Sequence, residues 1–379
     1  MVKSRCPVIV SICGDPGGSR AIAPVVAELQ RTGGYRLCSF AYGQAPLIWS
    51  HGNVPLQELD ESTTTNGAKS ILKELNAKLL LTATSLNGVD LEKRFIRAAR
   101  KLFIPSLVVL DFWSNYVPRF SNESGHLTYL PDRIAVMDEW ALSEMVSAGF
   151  PQDLLMITGQ PALDNLESVR KQFSPERRAS IRARLGISGD GTMVLFASQP
   201  LARVLGDSLA HPLFPGFTEK SVLAMLIHAL ERIAKRKETK IDLVVRPHPR
   251  ENKMNLQSWK PERIRLILDD EIDGREIALA SDIVTGMTTM LLVEASFLGC
   301  IVVSLQPGLT STDIVPTNRT GLSRAVYNEQ EIEPAMESLL FDEEARQHAL
   351  RKNLTAHLPE DATQRVVKIC NMMLTENTT

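Results

Sequence analysis

The sequence predicts an α/β protein built from two doubly wound domains that face a central crevice. Short runs rich in Val, Ile and Leu are typical of strands that are buried on both faces of a parallel sheet, and they alternate with amphipathic helical segments. The chain has 379 residues, which is long for a single hydrophobic core. A charged stretch near the middle separates two such alternating halves, so we expect one domain in each half.

The N-terminal half has the pattern of repeated β-α units. Because their connections are short, we expect right-handed crossovers and a parallel sheet covered by helices. The strands are predicted at 6–13, 36–41, 77–84, 104–110, 133–137 and 155–158, and the helices at 21–30, 70–75, 91–101 and in a segment that ends near 148.

The C-terminal half repeats this pattern, which makes both halves Rossmann-like. Its strands are predicted at 193–197, 241–246, 263–268, 281–284 and 300–305, and its helices at 219–235, 276–280, from 286 onwards, 329–340, 343–350 and 363–374. We expect an N-terminal acceptor domain over 1–165, an exposed linker over 166–190, a nucleotide-binding domain over 191–355, and a C-terminal helix within 356–379 that can cross back to the first domain.

Composition excludes several classes of protein. A hydrophobic content of 44% and a charged content of 23% are those of an ordinary globular protein. The formal net charge of -2 gives no overall electrostatic reason to bind nucleic acid, so we expect no nucleic-acid partner. No apolar run reaches membrane-spanning length, and because the segment before the glycine-rich turn is short we expect no secretory leader. The five cysteines are scattered without metal-ligand spacing, so we expect a reducing, cytoplasmic location and no metal site.

The strand that begins at 241 ends at Pro247 and Pro249, which cannot donate to a β-ladder. It therefore presents Arg246, His248 and Arg250 at its C-terminal end, where open α/β sheets bind ligands. Two arginines and an imidazole form an anion site, and phosphate is the obvious anion. The alternative is a basic surface loop.

A second cluster follows a later strand. Thr288 and Thr289 are predicted at a helix start, where unpaired backbone N–H groups favour an anion. Glu294 lies further along this helix and can accept hydrogen bonds from two ribose hydroxyls, or is a buried or capping residue. Ser198, at the end of the strand over 193–197, is expected to contribute to phosphate binding.

The first strand is followed by a glycine-rich turn and a helix, an order that builds a phosphate or sugar cradle. The turn, Gly14-Asp-Pro-Gly-Gly-Ser-Arg20, has neither the dinucleotide-binding nor the P-loop spacing. Gly17 and Gly18 are candidates for acceptor binding. Asp15 suits a sugar hydroxyl or a general base, because an acid would oppose phosphate.

Acids and aromatics follow two further strands of this half. Asp111 is a second candidate base, and Trp113 beside it is either a platform for a sugar ring or a cap on the sheet edge. Glu139 follows the strand over 133–137 and is a candidate for sugar binding.

These segments resemble those of the two-domain glycosyltransferases of the GT-B fold. The glycine turn is similar to their N-terminal acceptor-side loop, and Pro131-Asp-Arg-Ile-Ala-Val-Met and Ile157-Thr-Gly-Gln-Pro-Ala-Leu-Asp resemble segments of the UDP-N-acetylglucosamine 2-epimerases. The pair His248-Pro249 and Thr288-Thr289 resembles the phosphate-holding pair of bacterial sialyltransferases and CDP-glycerol glycerophosphotransferases.

The sequence also departs from these families. The sialyltransferase Asp/Glu-Asp/Glu-Gly motif is absent, and Asp15-Pro16-Gly17 is its nearest match. The strand-end acids of the epimerases could map to Asp111 and Glu139, but their N-terminal Thr-Arg-Pro-Glu is missing.

The resemblance implies a metal-independent transferase that moves a sugar or similar group from a nucleotide-activated donor to a hydroxyl. It implies no cofactor, a glycan, lipid-linked or small-molecule acceptor, and a cytoplasmic role in polysaccharide synthesis; a homodimer is one open arrangement. One alternative is a UDP-N-acetylglucosamine 2-epimerase-like enzyme. Another is a non-catalytic protein of the same fold that binds a sugar nucleotide or glycan.

Overall fold

The chain divides into two compact units, Met1–Asp164 with Pro359–Thr379 and Asn165–Leu358, called here the N-terminal and C-terminal units. The computed structural model describes residues 6–51, 56–86, 88–249, 251, 259–355 and 360–376. Within these ranges, no helix is both long enough and apolar enough to cross a lipid bilayer.

A parallel sheet forms the core of the N-terminal unit. Its described strands run in the order β3-β2-β1-β4-β5-β6-β7, so the strand order reverses between β1 and β4. The strands are β1 (Val8–Cys13), β2 (Arg36–Ala41), β3 (Gln57–Glu58), β4 (Ala77–Thr82), β5 (Ser106–Val109), β6 (Arg133–Val136) and β7 (Leu155–Ile157). Every residue of β1 is buried, which agrees with its uninterrupted apolar sequence.

The helices of the N-terminal unit come from both ends of the chain. They are α1 (Pro16–Thr32), α2 (Ala45–His51), α3 (Thr65–Glu74), α4 (Leu91–Lys101), α5 (Tyr116–Phe120), α6 (Glu139–Ser147) and the C-terminal α16 (Ala362–Glu376), with numbering that runs along the whole chain. Helix α16 shares one apolar core with α1, in which Val366 and Cys370 pack with Val25 and Leu29. The C-terminal segment therefore belongs to this unit.

The C-terminal unit is built around a second parallel sheet in the order β10-β9-β8-β11-β12-β13, which reverses between β8 and β11. Its strands are β8 (Thr192–Ala197), β9 (Ile241–Arg246), β10 (Ile264–Leu268), β11 (Ile283–Gly286), β12 (Val302–Leu305) and β13 (Arg324–Val326). Its helices are α7 (Leu166–Gln172), α8 (Pro175–Arg184), α9 (Leu201–Leu205), α10 (Glu219–Arg236), α11 (Gly274–Ala280), α12 (Met290–Phe297), α13 (Pro316–Arg319), α14 (Glu329–Phe341) and α15 (Glu343–Leu354).

Residues 166–190, expected as an exposed linker, are instead part of the C-terminal unit. They form α7 and α8, and arginines of α8 hold them in place: Arg177 pairs with Glu276 at 2.6 Å and Arg178 with Asp282 at 2.7 Å. Sequence reading took the charges of this segment as a sign of exposure, but the carboxylates that pair with them lie about 100 residues further along the chain.

Candidate functional site

The point where the strand order reverses in each sheet indicates where along the edge of that sheet a ligand is expected. In open parallel sheets, ligands bind beyond the C-terminal ends of the strands, where strand order reverses. In the C-terminal unit this edge carries the residues that follow β8, β9 and β11, and in the N-terminal unit those that follow β1, β4 and β5. Each edge is described separately below.

Arg246 ends β9 and holds the loop that follows β10. Its Nη1 donates to the Ile272 carbonyl oxygen at 2.5 Å and to Asp269 Oδ2 at 3.3 Å. Burial raises the pKa of the Asp269 carboxyl, and the charge of Arg246 opposes this rise. The arginine that was predicted to bind phosphate therefore holds the loop after β10 in place through these hydrogen bonds.

Glu251 connects the residues that follow β8 and β9. Its carboxylate accepts a hydrogen bond from the His248 backbone N–H at 2.6 Å and another from the Ser198 hydroxyl at 2.8 Å. Burial raises the pKa of this carboxyl, although both hydrogen bonds lower it. Ser198, predicted to contact phosphate, donates its hydroxyl proton to Glu251. Arg250, the third predicted cation, lies outside the described residues.

Gln199 occupies the donors of Thr288. Its side-chain oxygen accepts from the Thr288 backbone N–H at 2.8 Å and from the Thr288 hydroxyl at 3.2 Å. Thr289 is the N-cap of α12 and accepts a hydrogen bond from the Leu291 N–H at 3.4 Å. The helix therefore begins at Met290, four residues later than predicted, and an anion at Thr288 would have to displace the glutamine oxygen.

Glu294 is the one predicted residue of the C-terminal unit whose side chain is both deeply buried and incompletely satisfied within the described chain. It is 1% exposed, and its Oε1 accepts from Arg275 Nη2 at 2.7 Å and Nε at 3.1 Å. Its Oε2 is also buried but has no hydrogen-bond partner among the described residues. A buried carboxylate oxygen without a donor is costly, so this atom indicates a place for a hydroxyl-bearing ligand.

In the N-terminal unit the structure brings Gly17 against Asp111. A Cβ on Gly17 would lie 2.1 Å from Asp111 Oδ2, so only glycine permits this approach. Gly18 is equally confined, since its Cβ would lie 2.5 Å from that of Ala83. Asp15 precedes α1 without capping it, and its Oδ2 accepts from the Leu86 N–H at 3.2 Å.

Asp111 is not the isolated base that the sequence predicts. Arg119 Nη1 donates to Asp111 Oδ1 at 2.5 Å and also to the Thr84 hydroxyl at 2.7 Å. The side chains of Arg119 and Asp111 are only 8% and 15% exposed, so the ion pair is poorly screened by water. Local sequence pattern does not predict this ion pair, because it depends on how α5 packs against the end of β5.

Trp113 is a buried side chain of the N-terminal unit, whereas Glu139 is exposed. Trp113 is 5% exposed, and its indole N–H donates to Asp138 Oδ2 at 2.6 Å. Asp138 also caps α6 by accepting from the Ala141 N–H at 2.8 Å. Glu139 is the exposed first residue of α6. The indole ring is therefore a buried packing group, because its polar atom is bonded and its faces are covered.

Glu92 is a buried carboxylate that sequence reasoning missed. It is 1% exposed beneath the glycine turn, where Oε1 accepts from the Gly14 N–H at 3.0 Å and Oε2 from the Ser85 hydroxyl at 2.8 Å. The Tyr42 hydroxyl donates to the same Oε2. Burial raises the pKa of Glu92 to about 7, against the lowering effect of these hydrogen bonds. A signal was present, since Glu92 lies three and four residues before the buried Phe95 and Ile96 on one face of α4.

Comparisons with known proteins agree with this architecture. A family model described as CDP-glycerol:poly(glycerophosphate) glycerophosphotransferase matches residues 132–286, which is 155 of the 379 residues. No curated protein matches the chain by sequence.

Solved structures match nearly the whole chain. S. aureus MnaA, solved with UDP, has a TM-score of 0.71 at 15% identity, covering 97% of each chain. The UDP-N-acetylglucosamine 2-epimerase of Neisseria meningitidis, bound to UDP-N-acetylglucosamine, has a TM-score of 0.69 at 16% identity, covering 96% of this chain and 100% of that one. A glycosyltransferase from Rickettsia africae ESF-5 has a TM-score of 0.65 at 12% identity, covering 97% and 98%.

The class of fold is thereby established. Two parallel sheets with interleaved helices, matched over almost their full length, form the α/β fold that these solved structures share. The predicted fold class is confirmed, and the predicted resemblance to nucleotide-sugar epimerases and glycosyltransferases is confirmed as a likeness of fold. At these identities the likeness concerns the fold, and the reaction has to be argued from the site.

Proposed function

We propose that the protein transfers a sugar or similar group from a nucleotide-activated donor to a hydroxyl acceptor without a metal ion. The observation that carries the proposal is Glu294 Oε2, a buried carboxylate oxygen without a donor among the described residues. It lies on α12, the helix that follows β11 at the order reversal of the sheet. A ribose supplies two adjacent hydroxyl donors, and one of them would satisfy this oxygen.

The surrounding residues suit a nucleotide whose ribose is held in this way. Arg275 fixes the Glu294 carboxylate through Oε1 and leaves Oε2 for the ligand. The capped start of α12 at Thr289 favours a phosphate through the helix dipole. Arg246 at the end of β9 and His248 just after it add an arginine and an imidazole, at the same edge of the sheet and one strand removed from β11. The structural relatives solved with UDP and UDP-N-acetylglucosamine support this choice of ligand.

In the proposed reaction the acceptor hydroxyl oxygen forms a bond to the transferred atom of the donor. The bond from that atom to the nucleotide phosphate oxygen breaks, and its electron pair stays on the phosphate. His248 and the N-terminus of α12 would stabilise this charge. Among the described residues, no three His, Cys, Asp or Glu side chains come together as a metal site, so the proposal assigns this role to protein groups.

The acceptor's proton would pass to a carboxylate of the N-terminal unit. We favour Asp15 over Asp111, because Asp111 is already held in an ion pair with Arg119. Gly17 and Gly18 let Asp111 and Ala83 pack against the turn beside Asp15, since a Cβ on either glycine would lie 2.5 Å or less from one of these two side chains. The acceptor would be a glycan, a lipid-linked sugar or a small molecule.

The test is a thermal-shift panel with CMP, CDP, UDP, UDP-N-acetylglucosamine and GDP, since a ligand that binds the folded state raises the Tm. Wild type should be stabilised by at least one nucleotide, and Glu294→Gln should lose most of that shift relative to its own unliganded Tm. Glu329→Gln, an exposed residue of α14, is the matched control and should keep it. If Glu294→Gln is shifted as strongly as wild type, the ribose site is wrong.

The carboxylates around the glycine turn favour a second candidate, an epimerase-type enzyme, which needs several acids around one sugar ring. Burial raises the pKa of the Cys13 thiol, and the charges of Glu92, Asp15 and Asp111 raise it further, so all three acids lie near this cysteine. Incubation with UDP-N-acetylglucosamine alone separates the candidates. If the sugar is epimerised or hydrolysed when no acceptor is present, the epimerase is favoured. If the nucleotide sugar binds but is not turned over with any acceptor tried, a binding protein is favoured.

A further inference from the structure

The exposure and the backbone conformation of Phe103 are both unfavourable for a protein without a binding partner. Its side chain is 93% exposed, and its backbone is left-handed with a φ of 55°. Both features carry a cost, because a bulky residue is rarely found at positive φ and an exposed ring orders water. A contact that buries the ring would offset both.

A phenylalanine is also an unusual residue type at this position in the chain. It follows the C-cap of α4, where a left-handed residue ends the helix and glycine is favoured. Glycine occupies the equivalent left-handed place after α6, α8, α12 and α13 (Gly149, Gly186, Gly299 and Gly321), and polar residues occupy it after α3 and α10 (Asn76 and Glu238). Helix termination therefore does not explain a phenylalanine at 103.

The surface around Phe103 is cationic. Helices α3 and α4 both end at the edge of the sheet where β4 and β5 begin, because each leads into the next parallel strand. Five exposed cations lie on α4, in the last turn of α3 and near the start of β4, and none of the five forms an ion pair or a side-chain hydrogen bond with another described residue. They are Lys73, Lys78, Arg97, Arg100 and Lys101.

Two acids, Glu74 and Asp132, are exposed at the same edge, so a positive charge remains. Asp132 is already engaged, since it accepts from the backbone N–H and the hydroxyl of Ser106 at 2.8 Å each. Beside the ring, Leu102 and Ile104 are half-buried and extend the apolar surface. An exposed aromatic with apolar neighbours and surrounding lysines and arginines is the chemistry of an interfacial membrane contact.

We propose that this edge of the N-terminal unit, comprising Phe103 and the five cations, binds the surface of an anionic lipid bilayer. The ring enters the headgroup layer, and the cations attract the negatively charged lipids. A fluid anionic surface fits a single protruding ring with long, flexible cations better than a nucleic acid does, because bases need a flat platform or groove on which to stack. The proposal is independent of the proposed function.

The membrane edge and the glycine turn lie at opposite ends of the strands. Strand β4 has six residues, so the two edges are separated by about 20 Å. Substitutions at the membrane edge should therefore leave nucleotide binding and turnover unchanged.

Sedimentation of the full-length protein with lipid vesicles tests the proposal. Wild type should sediment with vesicles of phosphatidylcholine mixed with phosphatidylglycerol, should stay in solution with phosphatidylcholine alone, and should be released by added salt. The double variant Arg100→Glu with Lys101→Glu should lower partitioning at least about 25-fold, at about fivefold per cation removed. The double variant Lys235→Glu with Lys240→Glu, two exposed cations of the C-terminal unit, is the control and should bind as wild type does.

Phe103→Gly separates a membrane role from a structural one. Glycine relieves the left-handed backbone, so this variant should have a higher Tm than wild type and yet bind anionic vesicles more weakly. Leu209→Ser removes an exposed leucine of the C-terminal unit, 82% exposed, and should change neither property. Equal vesicle binding by Phe103→Gly and wild type would overturn the proposal, and so would retention by a single-stranded oligonucleotide without retention by anionic vesicles.

Discussion

Glu92 and Glu294 are both 1% exposed, yet their surroundings differ in a way that separates a structural carboxylate from a ligand-binding one. Glu92 receives neutral donors on both oxygens, from Gly14, Tyr42 and Ser85. Glu294 receives a cation on one oxygen and has no described partner on the other. The first arrangement is complete without a ligand, and the second is not.

The comparison also concerns cations. No cation among the described residues is hydrogen-bonded to Glu92, and burial raises its pKa to about 7. Glu294 forms an ion pair with Arg275, whose side chain is 18% exposed. This ion pair uses Oε1 of Glu294 and leaves Oε2 for a donor on a ligand. We therefore expect changes at Glu92 to affect stability and changes at Glu294 to affect binding.

The largest effect should come from His248, which follows β9 in the C-terminal unit. His248→Ala should lower turnover about 10²- to 10³-fold with a smaller change in nucleotide affinity, because the imidazole acts on charge that develops in the transition state. His248→Asn should recover part of the loss. Turnover and Tm measured on the same sample distinguish catalysis from folding, with His228→Ala on the exposed face of α10 as control. A stable, fully active His248→Ala enzyme would end the assignment.

The next largest effect is the pH dependence that Glu92 gives to the free energy of unfolding. Its folded pKa of about 7 lies above the ordinary value of 4.5, so the folded state keeps the proton after the unfolded state has lost it. The resulting stabilisation is present below pH 4.5 and is lost as pH rises through 7, a change of about 3 kcal/mol.

Denaturant unfolding of wild type and Glu92→Gln at several pH values measures this change. Tryptophan fluorescence is suitable, because three of the four tryptophans, Trp49, Trp113 and Trp140, lie in the N-terminal unit. The free energy of unfolding of wild type should fall relative to that of Glu92→Gln between pH 5 and 7. Parallel pH profiles of the two proteins would show that Glu92 titrates normally.

A smaller loss is expected at Glu294. Glu294→Gln should weaken nucleotide binding about 10- to 100-fold, the scale of one hydrogen bond to a charged group. Calorimetric titration of nucleotide into both proteins measures the ratio of their Kd values. If Glu294→Gln changes stability but not affinity, Glu294 resembles Glu92 and the distinction between them fails.

The smallest expected effect is that of metal removal, for which we predict no change. The proposed phosphate contacts are helix N-terminus, imidazole and guanidinium, so turnover in excess EDTA should equal turnover in magnesium. An activity that is lost with EDTA and returns with magnesium would show that the charge on the leaving phosphate is stabilised differently.

Much of the fold was accessible from the sequence, because element type follows from local patterns. Strand β2 was predicted at 36–41 and is found at Arg36–Ala41, and the periodicity of 91–101 gave α4. The short edge strands β3 and β13 were not predicted, since two or three residues carry no periodic signal. The start of α12 was misplaced, because Thr289 functions as a cap there and not as a helical residue.

The candidate site was only partly accessible. The sequence by itself determined which residue types follow each strand, and so it indicated Arg246 and His248 at the C-terminal end of one strand and Glu294 on the helix that follows another. It could not determine their partners, since Gln199 meets Thr288 across 89 residues, Ser198 meets Glu251 across 53, and Gly14 meets Glu92 across 78. Only the tertiary structure decided which polar groups are satisfied and which are not, because hydrogen bonds between distant segments depend on how the strands are ordered in the sheet and not on local periodicity.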